Sequence, residues 1–214
     1  MKLTQQSIQL VDPATPNEWL AQFRKVERAY RTCYKSEGKQ TEDSYLEFIP
    51  NHINHESPLE HCCISVIINC SRAIAQEFLR HRLVSPSMES TRWIDYFKKY
   101  GGSVDFVEPS DFSKFTDEQR EAYLDAMKSS EEHYNRLRDL GLKAQRARDA
   151  FALGLRCEIF ASANVRTWRH VFRERYFNEA AHPDIRALFG QLYEKLLYAA
   201  PVFFSDLKTL NASD

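Results

Sequence analysis

Two groups of arginines carry the clearest chemical potential in this chain. Arg80, His81 and Arg82 are followed by Ser85, Glu89, Ser90 and Arg92, and a second group comprises Arg166, Arg169, Arg173 and Arg175 with His170 among them. Arginine offers a fixed fork of donors and a permanent charge, which matches the oxygens of a phosphate. Serine hydroxyls add short polar contacts without blocking access. Two arginines flanking a histidine, then hydroxyls on a proline-containing loop, suit a phosphate cradle; the same residues are also compatible with a solvated basic loop. In the second group, helical spacing puts Arg166, His170 and Arg173 or Glu174 on one stripe and Trp168, Val171 and Arg175 on another. A charge among apolar neighbours is costly without a partner or ligand, although an arginine at a helix edge can also snorkel.

Other chemistries fit less well. His52, His55 and His61, with Cys62 and Cys63, lack the paired spacings of a zinc site, and no metal is expected. If 61–69 is a strand, Cys62 and Cys63 face opposite ways. There is no Gly-x-Ser-x-Gly elbow, no Gly-x-Gly-x-x-Gly and no Gly-Lys-Ser/Thr phosphate loop. A bound nucleotide therefore needs a different device, and the arginine groups are the obvious one.

The elements that must position these residues are partly legible. A short strand is expected near Ile8 and Val11, then a helix with Trp19, Phe23, Val26, Tyr30 and Cys33 on its apolar face. Residues 51–60 read as turns punctuated by Pro50 and Pro58. The β-branched run Ile64, Val66, Ile67, Ile68 fits a buried strand over 61–69. A helix over 71–82 should end before Pro86, which biases Ser85 away from helical geometry. This puts Arg80, His81 and Arg82 at a helix-to-loop junction. Thr116 and Gln119 form a capping box for a long helix that turns Tyr123, Met127, Tyr134 and Leu137 inward. Residues 157–163 suit another strand. Asn164 is a fitting N-cap for a helix over 166–176. Pro183 suits the first turn of a last helix with Ile185, Leu188, Leu192 and Leu196 inward. The expected fold is α+β, a single domain over 1–214 with a small mixed or antiparallel sheet packed by long helices.

The chain has 214 residues, enough for one substantial core, and a formal net charge of -1. That near-neutral balance argues against a nucleic-acid footprint, and we see no exposed aromatics interleaved with the arginines. The first ten residues are polar, unlike a signal peptide, and no apolar run approaches the roughly 20 residues of a membrane span. Five cysteines at irregular spacing read as free buried thiols in a reducing cytoplasm.

Several blocks together resemble the flavin-dependent thymidylate synthases. Arg80-His81-Arg82, then seven residues, then Ser90 is similar to that family's signature. Ala29 to Tyr34 resembles its N-terminal helix segment, and His55-Glu56-Ser57-Pro58-Leu59-Glu60-His61 the stretch leading into its strand. Ser71-Arg72-Ala73 precedes the signature at the family's distance. Asn164, Arg166, Trp168, Arg169, His170, Phe172, Arg175 and then Ala181-His182-Pro183 resemble its second block. The resemblance runs in order from about Ile8 to about Leu197.

It implies a homotetramer with active sites shared between subunits, bound FAD, NADPH as reductant, and dUMP and methylenetetrahydrofolate as substrates. No enzyme thiolate is required. By resemblance, Arg80, His81 and Arg82 contact flavin, with Arg80 also near dUMP. Ser90 and Arg92 reach dUMP, together with Met88, Glu89 and Thr91 of the same loop, Met88 also touching flavin. Glu77 and Arg148 are further dUMP contacts. Asn164, Arg166 and His170 hold FAD, and His61 with Cys63 lies against it. Arg175 is the implied catalytic group: its charge can stabilise negative charge at N3 and O4 of the uracil ring.

The chain departs from the family's pattern at Glu77, where Gln is usual, at Pro86 and Met88 in the signature loop, and at Trp93, where Tyr is usual. A carboxylate at Glu77 can accept from the exocyclic amine of a cytosine; it can equally pair with an arginine such as Arg72. Two rival readings follow: an enzyme on the same scaffold acting on dCMP or hydroxymethylating a pyrimidine nucleotide, and a flavin- or nucleotide-binding relative without turnover.

Overall fold

The computed structural model describes residues 1–210. Strands β1 (Lys2–Thr4) and β2 (Ser7–Asp12) precede helices α1 (Pro16–Tyr34) and α2 (Tyr45–His52). A 3-10 turn over Ser57–His61 leads into β3 (Cys63–Ser71), α3 (Arg72–Phe78) and β4 (Ser85–Met88). Then come α4 (Tyr96–Tyr100), β5 (Asp105–Val107), α5 (Asp117–Asp139) and α6 (Ala144–Ala147). Strand β6 (Arg156–Asn164) feeds α7 (Val165–Phe172), a π turn over Arg173–Phe177, α8 (Pro183–Ala199), α9 (Pro201–Phe204) and α10 (Leu207–Leu210). This is a mixed α/β fold with two small sheets: β1 beside β5, and a four-stranded sheet in the order β2-β3-β6-β4. In the first, β1 and β5 run parallel, Lys2 opposite Asp105 and Thr4 opposite Val107.

The chain forms two compact units. The first comprises Met1–Ser7, Ile68–Arg80 and Pro86–Phe160. Its core gathers Tyr96, Val104, Phe106, Met127, Tyr134, Ala147 and Leu155, with Tyr134 stacked on Phe151 at 4.3 Å. Helix α5 starts as its sequence dictates: Thr116 accepts from the Gln119 N–H at 3.2 Å, and the Gln119 side chain returns to the Thr116 N–H at 2.9 Å. Glu131 of α5 anchors the chain's start, accepting from the Met1 amino group at 2.6 Å and the Val104 N–H at 2.9 Å.

The second unit comprises Ile8–Ile67, His81–Ser85 and the described residues from Ala161 onward. Trp19, Phe23, Val26 and Tyr30 of α1 are buried, as are Ile185, Leu188, Leu192 and Leu196 of α8. Phe23 meets Phe203 edge-on at 5.3 Å, and Phe172 meets Tyr193 likewise at 5.4 Å. Cys33, read as part of the inward face, is exposed, and so is Cys63; only Cys62, Cys70 and Cys157 are buried. In α1 the charged pair Glu27 and Arg31 is buried where the periodic pattern shows only polar residues.

Other elements differ from their sequence reading. Helix α2 carries Pro50 in its interior, where proline was read as punctuation. Helix α3 ends at Phe78, before Arg80, so the Arg80-His81-Arg82 motif lies wholly outside it. Ser85–Met88 is a strand rather than a loop; it stands last in the strand order, and a sheet edge tolerates the missing N–H of Pro86. Strand β3 starts at Cys63, leaving His61 in the preceding turn. Among the described residues no helix is long and apolar enough to cross a membrane.

Candidate active site

The second unit holds Arg175 and most of the residues expected around flavin, while Arg80 and Met88, also expected there, belong to the first. Asn164 ends β6 and caps α7, its side chain accepting from the Thr167 N–H at 2.9 Å. Helix α7 then buries Val165, Trp168, Val171 and Phe172 and exposes Arg166 and His170. The Trp168 indole N–H donates to the Ile64 carbonyl at 3.1 Å, fixing the helix against β3. Arg169 is 1% exposed and serves the fold. Its Nη1 and Nη2 reach the Asp206 carboxylate at 2.7 and 2.6 Å, and Nη1 also donates to the Phe203 carbonyl.

The helix expected to continue to Tyr176 changes to a π turn at Arg173. A π turn takes more residues per turn than an α turn. Arg175 therefore leaves the stripe of Trp168 and Val171, both fully buried, and is itself only partly covered. Its Nε donates to Nε2 of His81 at 3.0 Å. Because a guanidinium only donates, His81 accepts there, so its proton sits on Nδ1. His170 packs edge-on against His81 with ring centroids 5.7 Å apart. Burial, then the charges of Arg175 and His170, push the His81 pKa down from 6.5 to about 4.

Folding thus favours neutral His81. Its contribution to stability is complete above pH 6.5 and declines as pH falls from 6.5 toward 4. The His81 ring is expected to titrate near pH 4 when followed by NMR; a midpoint at 6.5 would contradict the contact with Arg175.

Gly190 of α8 holds the π turn close. A Cβ there would lie 2.9 Å from Tyr176 Cε2. Gly190→Ala is expected to push Tyr176 aside, cost about 1–3 kcal/mol in denaturant unfolding, and lower turnover by disturbing Arg175 next door. Wild-type stability and turnover in this variant would show that the close approach is not needed.

Carboxylates accompany Arg166 and Arg173. Arg166 Nη1 lies 2.6 Å from Glu60 Oε1 and its Nε 3.3 Å from Glu56 Oε2, while Arg173 reaches Glu56 Oε1 at 3.3 Å. His55 bridges the Tyr34 hydroxyl at Nδ1 and the Ser57 hydroxyl at Nε2, both at 3.1 Å. His52 Nδ1 faces the Phe48 carbonyl at 2.7 Å. Sequence reasoning assigned no role to Glu56 or Glu60. Their spacing from His55 and His61 was visible, but nothing in it shows that they face Arg166. His61, Cys63 and Arg82 are exposed. Burial pushes the Cys62 thiol up to about 12, so it is no thiolate nucleophile.

The first unit holds the residues expected around the nucleotide. Glu77 closes the last turn of α3, and its carbonyl accepts from the Arg80 N–H at 3.3 Å. Met88 ends β4. Glu89 then joins Glu158 through a backbone bond of 2.9 Å, and its carboxylate accepts from the Tyr96 hydroxyl at 2.7 Å and the Glu158 N–H at 3.3 Å. The Ser90 carbonyl accepts from the N–H groups of Trp93 and Ile94, at 3.1 and 3.0 Å, which turns the loop. Thr91 is buried and accepts from Arg148 Nη1 at 3.3 Å. Thr91 and Arg148 also line a cavity of ≈ 260 Å³ with Arg72 and Asp149. Arg92 points to solvent beside Trp93, which is 84% exposed. The expectation that no exposed aromatic accompanies the arginines is therefore wrong at this position.

The sites assembled in each unit are those of a nucleotide-handling protein built on arginines rather than on a glycine-rich loop. The thymidylate synthase complementing protein family matches residues 17–202, and the chain belongs to that family. A probable flavin-dependent thymidylate synthase of Mycobacterium phage D29 is 31% identical over 92% of this chain and 86% of its own. The flavin-dependent thymidylate synthase of Geobacter sulfurreducens is 30% identical over 85% of this chain and 80% of its own. The fold is also that of a UMP/dUMP methylase from Streptomyces cacaoi, solved with 5-Br dUMP: TM-score 0.78 at 19% identity, over 98% of this chain and 97% of that one.

Proposed function

We propose that this chain is a flavin-dependent thymidylate synthase, a methyltransferase that converts dUMP to dTMP with methylenetetrahydrofolate as carbon donor and NADPH as reductant. The observation that carries this reading is Arg175 leaving a π turn with its Nε held by His81, in a chain whose family includes such synthases.

The donor set of the second unit fits a flavin dinucleotide. Exposed Arg82, Arg166 and His170, with the Asn164 amide, supply cations and donors for a diphosphate and a ring edge. FAD, once bound there and reduced by NADPH, would supply a hydride to the pyrimidine. The chain's own residues bind and polarise. Ser90, Thr91, Arg92 and Arg148 hold the dUMP phosphate with Arg80, while Met88, Glu89 and Glu77 border the nucleotide. Arg175 donates to the uracil edge and stabilises the negative charge that develops as C5 becomes nucleophilic. His61 and Cys63 flank the flavin. We further propose one functional domain, a homotetramer whose copies share active sites, and a cytoplasmic location.

Purified protein is expected to be yellow, to hold FAD, and to change its flavin spectrum on titration with dUMP but not with dCMP. A colourless protein that takes up no FAD would overturn the reading. A response to dCMP alone would move the substrate to a cytosine nucleotide and direct attention to Glu77.

A further inference from the structure

We propose that His81 is the positioning residue for Arg175: a neutral imidazole acceptor that sets the plane in which the guanidinium meets the pyrimidine. This rests on the reading that Arg175 touches dUMP. A guanidinium is rigid and planar, so holding its Nε at 3.0 Å from a ring nitrogen also fixes the directions of both Nη groups. Arg175 stands in a five-residue π turn rather than in the body of α7, and the contact with His81 narrows the rotamers its long side chain samples. His81 is itself fixed. Its carbonyl accepts from the Val84 N–H at 3.0 Å, and its ring lies edge-on to His170. The facing groups, Arg175 and His170, disfavour a proton on Nε2, which keeps that nitrogen an acceptor. A loose arginine would still attract an anion, but orientation toward a ring edge would be lost.

The test measures dUMP affinity by calorimetry on the FAD-loaded protein, with flavin content recorded for each variant, and then kcat. His81→Leu removes the acceptor and His81→Gln restores one at similar reach. His81→Leu is expected to weaken dUMP binding about 10-fold and to lower kcat by about 10–100-fold in protein reconstituted with FAD to the wild-type content. His81→Gln should lie within a few-fold of wild type. In an Arg175→Ala background, His81→Leu should have no further effect on dUMP affinity, because the two residues act as one unit. If Arg175→Ala weakens dUMP binding but His81→Leu does not, the positioning role is wrong while the assignment of Arg175 stands. Equal impairment by Leu and Gln, or additive effects in the double variant, also overturns it. Loss of FAD in His81→Leu would assign His81 to the flavin instead. If Arg175→Ala leaves dUMP binding intact, both the reading of Arg175 and this inference fall.

Discussion

Arg175→Ala is expected to lower the rate of dTMP formation by about 10²–10³-fold, the usual loss when a preorganised charge at a developing anion is removed. The effect should fall on both dUMP affinity and kcat, with flavin content unchanged, because the residues proposed to hold FAD are others: Asn164, Arg166 and His170. Arg175→Lys should recover little. An ammonium keeps the charge but has no Nε to meet His81 and no planar fork to match a ring edge. Steady-state kinetics with a parallel flavin assay decides the matter. A loss smaller than about 10-fold in Arg175→Ala, or equal activity of the Lys variant, would remove Arg175 from the catalytic role.

The second large effect is on stability. Glu27 is 0% exposed and Arg31 4%, one helical turn apart in α1. Arg31 Nε and Nη2 both lie 2.7 Å from Glu27 Oε1. The Ser44 hydroxyl donates to the same oxygen at 2.6 Å, and Gln40 Nε2 reaches Oε2 at 3.4 Å. The Arg31 guanidinium lies 4.1 Å over the Phe48 ring. Glu27→Ala therefore strands a buried cation and removes the closer acceptor of the Ser44 hydroxyl, leaving it the Thr41 carbonyl at 3.3 Å. The expected cost is about 3–5 kcal/mol, a fall in Tm on the order of 10 °C for a chain of this size. Replacing both charges, as in Glu27→Met with Arg31→Met, should recover most of that loss, since a well-packed apolar pair needs no counter-charge. Thermal unfolding of the three proteins tests this. A single variant as stable as wild type would show that water reaches Arg31.

The same pair shows where sequence reading stops. Periodicity identified the apolar face of α1 through Trp19, Phe23, Val26 and Tyr30, and the face of α8 through Ile185, Leu188, Leu192 and Leu196. It also placed Thr116 and Gln119 at the start of α5 and Asn164 at the start of α7. In each case the signal is local: a hydrophobic repeat or a cap three residues from its partner. Glu27 and Arg31 carry the residue types of a solvated face, and only tertiary packing buries them. The π turn at Arg173–Phe177 has no local signature, so 3.6-residue spacing put Arg175 among Trp168 and Val171. Its actual neighbour, His81, is 94 residues away in sequence.

The candidate site was legible to a similar degree. Ordered motif blocks marked Arg80, His81, Arg82, Ser90, Arg92 and Arg175 as a set. They did not mark Glu56 and Glu60 as partners of Arg166, the Thr91–Arg148 contact, or the engagement of Glu89 with Tyr96. Those pairings depend on strand and helix placement that motif spacing does not encode. Pro86 misled in the same way, since proline reads as a loop residue unless the strand order shows an edge.

The central claim is tested most directly by anaerobic mixing of the NADPH-reduced holoprotein with dUMP and methylenetetrahydrofolate, following the flavin spectrum and assaying dTMP. Flavin reoxidation in step with dTMP formation, absent when either substrate is omitted, is the predicted result. Reduced flavin that persists with both substrates present, and no dTMP, would contradict the account.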